Sequence, residues 1–182
     1  MTERVAGVSQ GGTVFRVVCN PRLRKAAVRC VKIIFYHFFY LQFKAALLPG
    51  RIPVTRVDHP LDREIPFKPR WVGVYLDFVS SWVRMAGFLL RRFGRKATAP
   101  VLDFIETMGR LYTLASEIYR ENLSTTMRPR YYKRPRFLLI HAADPHLMCV
   151  PSLHVMVVIR TYTKYRAILE DMGEDSSLAG QK

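Results

Sequence analysis

Two stretches of the chain stay apolar for almost the thickness of a bilayer. Residues 30–48 read CVKIIFYHFFYLQFKAALL and residues 71–90 read WVGVYLDFVSSWVRMAGFLL, 19 and 20 positions, against the roughly 20 helical residues that cross a hydrocarbon core. Lys32 and Lys44 stand near the ends of the first stretch, where long side chains reach the interface, and Pro49-Gly50 stops it. In the second, Asp77 and Arg84 are seven apart and share one helical face. Inside a membrane both would turn toward neighbouring helices or a water-filled cavity. The segment 51–70 carries Pro53, Pro60, Pro66 and Pro69, which forbid a continuous helix. Residues 97–119 read as helix again, with Pro100 in the first turn. There Asp103, Glu106, Arg110 and Glu117 form a polar stripe and Leu102, Ile105, Met108, Leu114 and Ile118 take the other faces. Glu106 and Arg110 have the spacing of a favourable pair. Residues 1–20 are weakly patterned and read as a tail. Residues 120–151 read as irregular, and a last apolar run covers 150–159. The chain turns polar from Arg160, with a frayed end at 173–182.

This pattern predicts an all-α, multi-span membrane helical bundle. A basic N-terminal segment (1–29) precedes a membrane helical domain (30–169) and a polar tail (170–182). An uncleaved anchor fits residues 30–48 better than a signal peptide, because the basic and apolar stretches are long and no clean small-x-small site follows. Basic clusters mark the cytoplasmic side. Those at Arg16–Lys32 and Arg91–Lys96 place the 51–70 loop outside and, if 97–119 also spans, the 120–151 segment too. A mean hydropathy of +0.02 pulls the other way.

Charge changes the picture. Of 182 residues, 29 are Lys or Arg and 14 Asp or Glu, a net +15, which calls for an anionic partner. A 49% hydrophobic and 12% aromatic content excludes a wholly disordered chain. Cys19, Cys30 and Cys149 are too scattered for a disulfide framework or a zinc site and read as small packing residues.

Candidate chemistry gathers in residues 124–154, STTMRPRYYKRPRFLLIHAADPHLMCVPSLH. Five basic residues, Arg128, Arg130, Lys133, Arg134 and Arg136, stand in nine positions. Guanidinium groups fork onto phosphate oxygens. A solvated charged loop is the plain alternative. Pro151-Ser152-Leu153-His154 opens the last apolar run. Ser152 and His154 at a helix start can face one anion beside free backbone N–H groups, and His154 can give up a proton near neutral pH. His141, Asp144 and His146 lie close in sequence, but Asp144-Pro145 is a common turn and no further ligand cluster follows. The expectation is no metal and no cofactor. His37 reads as packed among aromatics.

Arg128-Pro129, the gap and Pro151-Ser152-Leu153-His154 together resemble the first two motifs of the type 2 phosphatidic acid phosphatase superfamily. The Leu in the second motif, and residues 62–69 (DREIPFKP), are similar to its inositol-phosphorylceramide synthase branch. The resemblance covers about 62–165. It implies a membrane-embedded helical fold and removal or transfer of phosphate groups on lipids. It also implies that Arg128 clamps phosphate oxygens, Ser152 hydrogen-bonds the same phosphate, and His154 protonates the leaving alkoxide as catalytic acid. The family's first motif begins with Lys seven positions before Arg, where this chain has Glu121; Arg120 or Lys133 could take that auxiliary place. The family's third motif supplies a nucleophilic His, and none of the 28 residues after His154 is His. Three readings stay open: a truncated or frameshifted relative, a chain that binds phosphate without turning it over, or a site completed by another subunit.

The leading expectation is therefore a lipid-phosphate phosphatase or phosphotransferase, inactive where the missing third motif leaves it without a nucleophile, integral to the membrane with its site loop on the extracytoplasmic side. The alternative is a non-catalytic basic membrane protein that binds anionic lipid. The partners expected are a lipid phosphate or another anionic lipid and the membrane. Arg and Tyr interleave at 128–136 as in single-strand binders, but without a recognised motif, so no nucleic acid is expected.

Overall fold

The computed structural model describes residues 5–129 and 131–173. Residues 5–20, read from the sequence as part of a tail, are largely helical. Helix α1 (Gln10–Cys19) starts at Ser9, whose hydroxyl accepts from Gly12 N at 3.3 Å. Asn20 then caps α2 (Pro21–Ile34) by accepting from Arg22 N and Leu23 N, with Pro21 in the first turn where its missing N–H costs nothing. From Ile34 the rod widens into a π-helical turn (Phe35–Tyr40) and continues as α3 (Leu41–Leu47). The helix thus runs through residue 29, where the sequence suggested a boundary.

The central element is α5 (Thr98–Glu121), buried at Val101, Phe104, Ile105, Met108, Tyr112, Ala115 and Tyr119. Leu23, Ala26 and Cys30 of α2 are buried in the same core. Helix α4 (Val72–Phe93) is fixed on α5 by Trp82 against Phe104 and on α7 (Leu153–Asp171) by Phe88 against Tyr165. Helix α4 ends at Gly94, whose φ of +57° suits a residue without a Cβ. Helix α1 crosses α4 where Thr13 and Val8 press on Gly87. The sequence has α7 turning polar at Arg160. In the fold it runs eleven residues further, because Thr161, Tyr165, Ile168 and Leu169 bury one face.

A short parallel pairing joins the two irregular segments. Strand β1 (Val54–Arg56) pairs with β2 (Leu123–Thr125) in the register Val54 to Leu123, and Ser124 bridges onward to Met148. Nine residues inside 120–151 form another helix, α6 (Pro135–Ala143), entered through Pro135.

The multi-span membrane bundle is overturned. Among the described residues no helix is long and apolar enough to cross a membrane. With it goes the integral membrane location with an extracytoplasmic site loop. The physical reason is charge placement. The rod through 30–48 begins with Arg22, Arg24, Lys25, Arg29 and Lys32 and is polar again at His37, Gln42 and Lys44; α4 carries Asp77, Arg84, Arg91 and Arg92. Asp77 and Arg84 do meet, at 2.6 Å. The expected Glu106–Arg110 pair is replaced: Arg110 reaches Asp103 at 3.3 Å and Thr107 at 2.9 Å, and Lys164 joins Asp103 from α7. These partners hold the Asp103 carboxyl below its usual range, the hydrogen bond from Lys164 being the largest cause.

Candidate anion-binding site

Residues 124–154 fold back so that the two motifs meet one wall. Ser124 is the fastener. Its hydroxyl accepts from Val150 N at 2.7 Å and its backbone pairs with Leu147 and Cys149. Tyr119, buried on α5, donates its hydroxyl to the Pro151 carbonyl. Pro151 and Ser152 are thereby fixed to the central helix. Ser152 is the N-cap of α7, accepting from Val155 N at 3.5 Å, so the positive end of a 19-residue helix opens beside it.

His154 lies in the first turn of α7, its ring stacked on Tyr75 at 4.3 Å and against Phe78 at 4.1 Å. Burial lowers its pKa and Asp144 raises it less. The imidazole is thereby biased toward the neutral form. Arg128 donates to the Asp144 carbonyl at 2.6 Å and stands 3.7 Å from the Asp144 carboxylate. Asp144 Oδ1 accepts from His146 N at 2.8 Å, and this turn sets His146 at a φ of +60°. The His146 ring then faces Thr126 Oγ1 at 3.0 Å and Cys149 Sγ at 3.6 Å.

Two cavities share the wall of Tyr75, Asp144 and His146. One, of about 270 Å³, is lined by Ser152, His154, Cys149, Thr126 and Gln42; the other, of about 300 Å³, by Arg128, Lys68 and Trp71. Arg128 and His154 thus line different cavities that share this wall. The remaining candidates lie elsewhere. Lys133 is exposed on the bend before α6 and lines neither cavity. Arg120, on α5, donates to His37 Nδ1 at 3.1 Å on the far side of the π-helical turn. Arg130 lies outside the described residues. Among the described residues no three His, Cys, Asp or Glu side chains converge on a common point as metal ligands. His141 lines the 300 Å³ cavity and packs its ring on Tyr132 at 4.8 Å.

The residue that sequence reasoning passed over is Gln42. Its side chain is fully buried, lines the 270 Å³ cavity, and neither amide atom has a hydrogen-bond partner. A buried amide left so costs on the order of 1–3 kcal/mol, which a polar occupant would recover. The only signal in the sequence is one amide in the run YLQFKAALL.

His154 also opens onto an apolar groove of about 440 Å³ between α4 and α7, lined by Val74, Phe78, Met85, Val155, Val158 and Ile159. His37, His146 and His154 all have pKa values below the usual 6.5, with burial the first cause in each. The unfolded chain therefore takes up protons first on acidification, and stability falls as pH drops below 6.5. Denaturant midpoints across that range should decline, and His154→Phe should flatten the decline; a midpoint rising with acid would contradict the burial of these rings.

No protein family, curated protein or solved structure matches the chain.

Proposed function

We propose that the protein binds the phosphate-ester head group of an anionic lipid, using the binding half of a site of the type 2 phosphatidic acid phosphatase kind. One observation carries the reading: His154 stands where a cavity holding Ser152 and the orphaned Gln42 amide meets a more apolar groove. An amphiphile has that division, its head group at the start of α7 and its acyl chain between α4 and α7. The first-turn N–H groups of α7 favour an anion. Arg128 has donors left after its contacts with Asp144 and stands behind the same wall. Phosphoryl transfer would in addition need a nucleophile.

The test uses a short-chain phosphatidic acid, with binding read by calorimetry and phosphate release assayed in parallel. Binding is expected to weaken in Arg128→Ala, whose charge acts on the cavity through the shared wall, and little in the exposed Arg134→Ala. Equal affinity of the wild type and Arg128→Ala would sink the reading. Phosphate release that disappears in His154→Ala would turn the binding protein into an enzyme of that class.

A further inference from the structure

A separate concavity lies on the other side of the rod. It holds about 380 Å³ and is lined by Tyr36 and Tyr40 of the π-helical turn, Leu41, Lys44 and Ala45 of α3, Arg51 and Ile52 of the following loop, and Arg120 of α5. Three of its lining residues are cations and, among the described residues lining it, none is acidic. Lys44 lies 5.8 Å from the centroid of the Tyr40 ring. His37, the partner of Arg120, is biased to the neutral form, first by burial and then by Arg120 itself. Glu117, one turn earlier on α5, acts on His37 but does not line the concavity. Like charges gathered around an empty hollow repel one another, and an anion removes that cost.

The rim decides which anion. Leu47 is 77% exposed and Leu48, Phe43, Tyr36 and Tyr40 are exposed beside it. A soluble phosphate would leave these apolar groups wet. A bilayer surface would take the leucines into its acyl boundary, hold the tyrosines at head-group level and place anionic head groups at the cations. We infer that Lys44, Arg51 and Arg120 form a docking site for the head group of an anionic lipid at a bilayer surface, on which the rod lies flat rather than crossing.

The experiment is sedimentation of the full chain with phosphatidylcholine vesicles, with and without phosphatidic acid. Vesicles with phosphatidic acid should bind the protein in a salt-sensitive way. Replacing Lys44, Arg51 and Arg120 together by Ala should weaken binding about a hundredfold, at roughly fivefold per charge, and Arg51→Ala alone about fivefold, which keeps the test open should the triple variant misfold. A control with the same charge loss at exposed Arg22, Arg24 and Lys25 should weaken it much less. Equal losses in the triple variant and its control, or equal binding to neutral vesicles, would overturn the inference. So would full competition by inorganic phosphate, which would make the hollow a free-anion site. The inference stands apart from the site at α7: the triple variant should bind monomeric short-chain phosphatidic acid, which offers no bilayer surface, as the wild type does.

Discussion

Gln42→Leu is expected to make the free protein more stable, by about 1–3 kcal/mol. Most core substitutions destabilise, so the sign itself is diagnostic. The Gln42 amide is fully buried with neither atom paired, and leucine fills a similar volume without a desolvation cost. The same change removes the groups that a polar occupant would meet. Thermal unfolding with and without short-chain phosphatidic acid separates the two effects. The variant should melt higher than the wild type alone and gain less from the lipid. A variant that melts lower would mean that the amide is satisfied in solution and that the cavity needs no occupant to explain it.

Gly87→Ala carries the opposite sign. On an exposed helical face this change stabilises by up to about 1 kcal/mol, since alanine is the better helix former. Here a Cβ would run into Thr13 Oγ1, with Val8 Cγ1 at 2.9 Å behind it. The Thr13 hydroxyl is not free to swing aside, because it donates to the Ser9 carbonyl at 2.9 Å. Overpacking of this kind costs about 1–3 kcal/mol, so a net loss of stability is expected. Gly73, on the same helix, is the internal comparison. A Cβ there meets only the far end of the Arg136 side chain at 2.9 Å, which can give way. Gly73→Ala should therefore be neutral or mildly stabilising. Denaturant unfolding of both variants checks the pair, and equal effects would remove the α1–α4 contact from the account.

Local signals in the sequence located several elements. Pro49-Gly50 stops the rod, Trp71 precedes α4, and residues 98–121 form the helix that the polar stripe indicates. Ser152 stands at the start of α7 as its type suggests. Elements whose support is tertiary were not legible. Helix α1 contains Gly11 and Gly12, poor helix formers, and is held by Thr13 against α4. The far half of α7 looks polar until its core face is known. Strands of three residues, paired across almost seventy positions, leave no periodic trace. Apolar length alone suggests membrane spans, and the charges within those stretches decide against them. Arg128 and His154 were brought to one wall, while Arg120 was not, since α5 carries it to the other side of the rod. Asp144 and His146 are close in sequence like metal ligands, but in the fold they form a turn in the wall between the two cavities.

The wide turn at Phe35–Tyr40 sets the angular phase of everything after it. One residue more or fewer rotates the following helix by about 100° around its axis. Leu23, Ala26 and Cys30 before the turn are buried, and Leu41 and Gln42 after it are buried too. Both halves keep an inward face only while the turn retains its length. The ring chemistry of these six residues can drift, but an insertion or deletion there would swing Gln42 away from its hollow and Lys44 away from Arg120 in a single step.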